Sequence, residues 1–185
     1  MYSYVCFAII LNLLLGSAAA DLKLNVTAVG VRDGRSTIEC WQFDNPFTST
    51  TVLNRTGDIF SSSLGGLANL SYTFVPPKYD QGIHTAPFKQ WVILIKGLGL
   101  ITVPGEDTQA YVTPGETGVV FAADTPDVSS TGHRSQYLGV TETIILQIPT
   151  RDNSVPPHEV LYSGSCNTSA TSGLWDLAMN LSSGK

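Results

Sequence analysis

The chain has 185 residues, a formal charge of −5 and only 14% charged residues. Its ten Lys and Arg are scattered, which excludes the clustered basic patch that grips nucleic acid. The mild acidity favours solubility, and the length suits one domain with a real core behind a short leader.

The first twenty residues read as that leader. An apolar run from Val5 to Leu15 is followed by Ala18-Ala19-Ala20, which fits the small-residue rule for cleavage before Asp21. The run is too short to span a membrane comfortably. The longest later apolar run, Trp91 to Ile95, is shorter still and is bounded by Gln90 and Lys96. We therefore expect a secreted protein with a leader over 1–20, a single domain over 21–185 and no membrane contact after cleavage. Cys6 leaves with the leader, and Cys40 and Cys166 remain. In an oxidising compartment one disulfide is the economical reading, with two buried thiols as the alternative. The bridge would close a loop of about 126 residues, worth about 4–5 kcal/mol in the chain-entropy model. Asn-x-Ser/Thr sequons at Asn25, Asn54, Asn69, Asn167 and Asn180 fit a glycoprotein with several exposed loops.

Along the mature chain the texture is all-β: short β-branched runs lie between Gly, Pro, Ser and Thr turns. Residues 22–29 alternate Leu22, Leu24, Val26 and Ala28 on one face, and Asp33-Gly34 reads as a hairpin turn into a strand over 36–43. Residues 45–71 are polar and small and read as the least ordered stretch. A strand follows at 71–75, then a turn at 80–82. The second half is more regular, with strands at 90–95, 97–103, 108–112, 118–123, 133–139, 141–148 and 159–162. Leu174, Leu177, Ala178 and Leu181 recur at helical spacing, with Ser172 to start and Gly184 to end a short C-terminal helix. Strands every 8–12 residues point to a sandwich or barrel.

No Gly-x-Ser-x-Gly elbow, His-Glu-x-x-His helix or P-loop occurs. The informative stretch is 82–139. It carries His84, Ala86-Pro87, Gln90 and Gly97, then Pro114-Gly115, then Asp124 and Gly132-His133. In this spacing the chain resembles the cupin superfamily, small jelly-roll barrels, and in particular small secreted cupin-like proteins of fungi. The usual first cupin motif has a second histidine where Ala86 stands and a glutamate where Gln90 stands. The resemblance implies a cupin-like jelly-roll barrel or sandwich, here ending in the short helix, with a site at His84, Gln90 and His133. Asp124, Tyr137 and Trp91 are then expected to line the barrel or support the site.

Such a site implies either no cofactor or one divalent transition metal. A cupin metal usually has three histidines and a carboxylate, whereas these positions supply two histidines and a neutral amide, a poor set for iron or manganese. Glu142, Asp124 or His158 are the substitutes the sequence offers. Two functions follow from the residues. One is a non-catalytic secreted protein that holds a small-molecule or sugar-like ligand or acts as an interaction protein at a surface. The other is an extracellular metal-dependent enzyme of oxygenase or isomerase type. A homodimer is compatible with either. Trp41, Trp91 and Trp175 read as packing residues rather than sugar platforms.

Overall fold

The structure, a computed structural model, describes residues 22–51, 58–167 and 170. The expected leader, Asn54, Asn180, Trp175 and the expected C-terminal helix lie outside the described residues. Thirteen strands run through the described chain, and its only helical element is one turn of 3-10 helix at Glu116–Gly118. The strands are β1 (Lys23–Arg32), β2 (Arg35–Pro46), β3 (Thr48–Thr51), β4 (Asp58–Ser61), β5 (Ser71–Val75), β6 (Asp80–His84), β7 (Gln90–Lys96), β8 (Gly99–Thr102), β9 (Gln109–Val112), β10 (Val119–Ala122), β11 (His133–Tyr137), β12 (Thr143–Pro149) and β13 (His158–Ser163).

Strands β5 to β12 pair as one long folded hairpin. β8 pairs with β9, β7 with β10, β6 with β11 and β5 with β12. That ladder wraps on itself, so β12 also pairs with β7 and β11 with β8. Two sheets result, β5-β12-β7-β10 and β6-β11-β8-β9. This is the jelly roll expected from the sequence, a cupin-like two-sheet sandwich. The first sheet is extended past β10. β1 lies parallel to β10, β2 antiparallel to β1, and β13 closes the edge to give seven strands. Asp33 and Gly34 take positive φ values of 52° and 73°, as a two-residue hairpin turn requires, and set Arg32 opposite Arg35. Cys40 on β2 is joined to Cys166, just beyond β13.

The two faces of the large sheet each bury apolar side chains. Toward the second sheet point Val75, Leu94, Val120 and Ile145, which meet Val112 of β9. On the opposite face Val26, Ala28, Trp41, Phe43, Trp91 and Phe121 form a second core, covered by Leu64, Leu67 and Val155 from the long loops. The loops are therefore walls of a core. Ala68 N–H and Arg151 N–H bond to the carbonyls of Pro149 and Gly66, which lace the two loops together.

Two local readings are corrected. The stretch 45–71 is not merely irregular, because β3 and β4 pair within it, Thr48 opposite Ser61. Residues 80–82 belong to a strand rather than a free turn. Asp80 Oδ1 does accept from Gly82 N–H at 2.9 Å, with Gly82 at φ +73°, but that turn is a bulge inside the β6–β11 pairing.

Candidate functional site

Alternation along each strand decides what enters the space between the sheets. On β7, Gln90, Val92 and Leu94 face inward, so Trp91 between them must face out. On β11, His133, Ser135 and Tyr137 face inward, and on β6 His84 does. These residues line a cavity of about 140 Å³ between the two sheets. Val92, Leu94, Ile101, Val112, Val120 and Ile145 make its apolar part. The two histidines, Ser135, Tyr137 and three glutamines, Gln81, Gln90 and Gln147, supply its polar groups, while Gln136 borders it with its amide turned to Asp80.

His84 and His133 are direct cross-strand partners, and their ring centroids lie 4.5 Å apart with a tilt of 56°. Gly132, at φ +65°, is what allows this approach. A Cβ there would sit 2.5 Å from the His84 carbonyl oxygen, inside any tolerable contact. Each imidazole is anchored by Nδ1. His84 Nδ1 lies 3.0 Å from the Gly82 carbonyl oxygen, and His133 Nδ1 lies 2.7 Å from Asp124 Oδ2. No hydrogen bond among the described residues engages either Nε2. Burial holds the His84 imidazole below the usual histidine range, with the Gly82 carbonyl opposing that shift and His133 adding to it. Burial likewise raises the Tyr137 phenol above its ordinary value, with Tyr79 as the smaller cause.

Asp124 organises the site from behind. It is fully buried after the end of β10, and its Oδ2 also accepts from Ser36 Oγ at 2.7 Å. Ser36 Oγ is 2.6 Å from Ser129 Oγ, and the Ser129 hydroxyl accepts the Gly132 N–H at 3.2 Å. The Asp124 carbonyl takes the Ala86 N–H at 3.3 Å. One residue thus ties the loop after β6 to the histidine on β11. A carboxylate on Nδ1 fixes the imidazole's orientation and tautomer and leaves the Nε2 lone pair to a bound molecule.

Outside the cavity, Asp80 clasps the two histidine strands. Arg134 Nε reaches Asp80 Oδ1 at 3.0 Å and Oδ2 at 3.1 Å, Arg134 Nη2 also bonds to Oδ2, and Gln136 Nε2 reaches it at 3.2 Å. The Arg134 hydrogen bonds, then the Gly82 N–H, hold the Asp80 carboxyl at about 2, against an ordinary value of 3.8. A depressed folded value stabilises the fold at neutral pH. That contribution is lost as pH falls through 3.8 toward about 2. In a carboxyl NMR titration, Asp80 should have its midpoint near about 2 and move up toward 3.8 in Arg134→Ala; a midpoint that ignores the substitution rejects the clasp.

The sequence-derived residues divide clearly. His84, Gln90, His133 and Tyr137 meet in the cavity, and Asp124 stands behind His133. Trp91 does not line the cavity. Its indole is fully buried in the outer core, 4.6 Å from the Phe43 ring and 4.9 Å from the Phe121 ring, because Gln90 takes the inward position beside it. His158 opens edge strand β13 and stacks on Trp41 at 3.9 Å, so it belongs to the outer face. Glu142 bonds Lys96 Nζ at 2.5 Å. Gln81, Ser135, Gln136 and Gln147 were missed, although counting by twos from His133 would have found Ser135. Among the described residues no group of three or more His, Cys, Asp or Glu could hold a metal ion. The residues present therefore do not fit the three-histidine, one-carboxylate set of a cupin metal.

No family model and no curated relative matches the chain. Among solved structures, the capsular polysaccharide assembling protein CapF from Staphylococcus aureus is similar over 74% of this chain and 34% of that one, at 19% identity and a TM-score of 0.34. The chain thus spans about a third of CapF's length. A likeness this distant carries no residue roles and no activity.

Proposed function

We propose that the cavity between the sheets is a binding site for a small organic ligand, held by side chains rather than through a metal. The observation that carries this reading is the pair of unengaged imidazole Nε2 atoms set against an apolar floor, without a third strong metal donor among the described residues. Concave, mostly apolar sites with a few convergent polar groups are the usual form of ligand pockets. We further propose that the chain is a secreted glycoprotein of the small fungal cupin-like type. The leader-like segment, the sequons and the Cys40–Cys166 bridge support it. Among the described sequons, Asn69, just ahead of β5, and Asn167 are exposed. Asn25 is half-buried, its Nδ2 donating to the Ala170 carbonyl and its Oδ1 accepting from Gln42 at 3.0 Å.

A second reading, an extracellular enzyme, is favoured by one observation. Asp124 backs His133 in the way that equips an imidazole as a general base. Metal analysis separates the metal-dependent form of that enzyme from the binding protein. Protein purified without a histidine tag and exposed to Fe, Mn, Zn, Cu or Ni should retain only substoichiometric metal after desalting. One ion per chain, lost in a His84→Ala/His133→Ala double variant, would overturn the metal-free reading.

A further inference from the structure

The two histidines specify more than a cavity, because their hydrogen-bond partners fix which nitrogen carries the proton. A carbonyl oxygen can only accept, so His84 Nδ1, 3.0 Å from the Gly82 oxygen, is the N–H of its ring. Asp124 Oδ2 takes the Ser36 hydroxyl and lies 2.7 Å from His133 Nδ1, so that nitrogen is also the N–H. In the neutral rings both Nε2 atoms are therefore lone-pair acceptors. They belong to rings only 4.5 Å apart, and no described residue donates to either. Both imidazoles line the cavity, so a single partner that serves both nitrogens brings two donors on neighbouring atoms.

The rest of the cavity narrows the class. A carboxylate or phosphate would set acceptors against acceptors. An ammonium would bring donors but would bury its charge over an apolar floor with no carboxylate in the lining. Neutral hydroxyl groups meet both demands. Two hydroxyls on adjacent carbons can each give a hydrogen bond of about 2.7–2.8 Å to one ring. The body that follows them meets Val92, Leu94, Val112, Val120 and Ile145. The volume of about 140 Å³ is close to that of a cavity known to hold benzene, roughly 150 Å³, so one six-membered ring fills it.

We infer that this site takes a neutral ligand with two hydroxyls on adjacent carbons of an apolar ring, donated to Nε2 of His84 and His133; catechol is the simplest member of the class. The inference rests on the small-ligand reading of the cavity. A sugar shares the vicinal hydroxyls but offers the apolar wall further hydroxyls that would go unpaired there.

Calorimetry on the full disulfide-bonded chain, in anaerobic buffer, should compare catechol, phenol, 1,2-dimethoxybenzene, benzene and glycerol, with backbone NMR shifts at Ile101, Val120 and Ala122 to locate binding. Catechol should bind about tenfold more tightly than phenol and about a hundredfold more tightly than 1,2-dimethoxybenzene, one hydrogen bond being lost at each step. Glycerol should be weaker than phenol. His84→Phe, which leaves the Asp124–His133 pair intact, should bring catechol to the affinity of phenol. If phenol or 1,2-dimethoxybenzene binds in the cavity as tightly as catechol, a bound water already serves the two nitrogens. The paired-donor inference then fails while the ligand site stands. If glycerol binds best, the apolar-ring half fails. If none of the five, benzene included, moves the cavity resonances, the inference and the small-ligand reading fall together.

Discussion

Replacing Cys40 and Cys166 together by alanine should lower stability by about 4–5 kcal/mol, the chain-entropy value for so long a loop. The bridge spans a sequence separation of 126, so without it the unfolded chain regains most of its freedom. Cys40 is fully buried on β2, while Cys166 follows β13, the edge strand of the large sheet. Among the described residues, the chain beyond β13 is also held by the Gly164 N–H to the Ile38 carbonyl at 2.7 Å, the Cys166 N–H to Thr27 Oγ1 at 3.0 Å, the Asn167 N–H to Tyr162 Oη at 3.2 Å and the Asn25 amide to the Ala170 carbonyl. At about 2–4 °C per kcal/mol for a domain of this size, the melting temperature should fall by about 8–20 °C in scanning calorimetry. A fall of only a degree or two would mean that the unfolded chain is already held compact by other means.

Trp91→Ala should cost about 3–5 kcal/mol by urea denaturation and leave ligand affinity in the cavity nearly unchanged. The indole is 0% exposed, packs against Phe43 and Phe121, and donates Nε1–H to the Leu64 carbonyl at 3.2 Å. Its removal opens a large void and leaves a carbonyl of the covering loop without its donor. Trp91→Phe should recover much of the packing and none of that hydrogen bond. Affinity lost in Trp91→Ala out of proportion to stability would show that the two faces of the sheet are coupled more tightly than their alternation implies.

That one residue marks the limit of what the sequence made legible. Period-two runs and turn residues located the strands of the second half, where β7 to β12 alternate cleanly between Gly and Pro signals. The spacing of His84, Gln90 and His133 placed three cavity residues. The side of the sheet on which an aromatic lies was not legible, because Trp41, Phe43, Trp91 and Phe121 meet only once β1, β2 and β13 extend the jelly roll. No local pattern announces a second core behind a first. β6 was hidden for another reason. Asp80 and Gly82 do make turn chemistry, and only pairing with β11 turns it into a bulge. The hold of Asp124 on Ser36 crosses 88 residues, a distance over which composition and periodicity are silent.

The nested pairing of β5 to β12 also dictates an order of events during folding. The β8–β9 hairpin joins Thr102 to Gln109 and is the shortest closure in the ladder. Once it forms, the ends of β7 and β10 are already near one another, and each outer pair closes a loop shortened by the one inside it. Assembly started from the outer pair would have to bring Val75 to Thr143 with nothing between them fixed. Folding should therefore proceed from the inside outward, and slowly for a domain of this length, because most of its contacts are distant in sequence. β1 finds its parallel partner β10 only after β10 is in place, and the strand made first is among the last to dock. A chain stalled during synthesis before β12 would lack the strand that covers β7 and pairs with β5, and would expose apolar edges that the finished protein keeps inside.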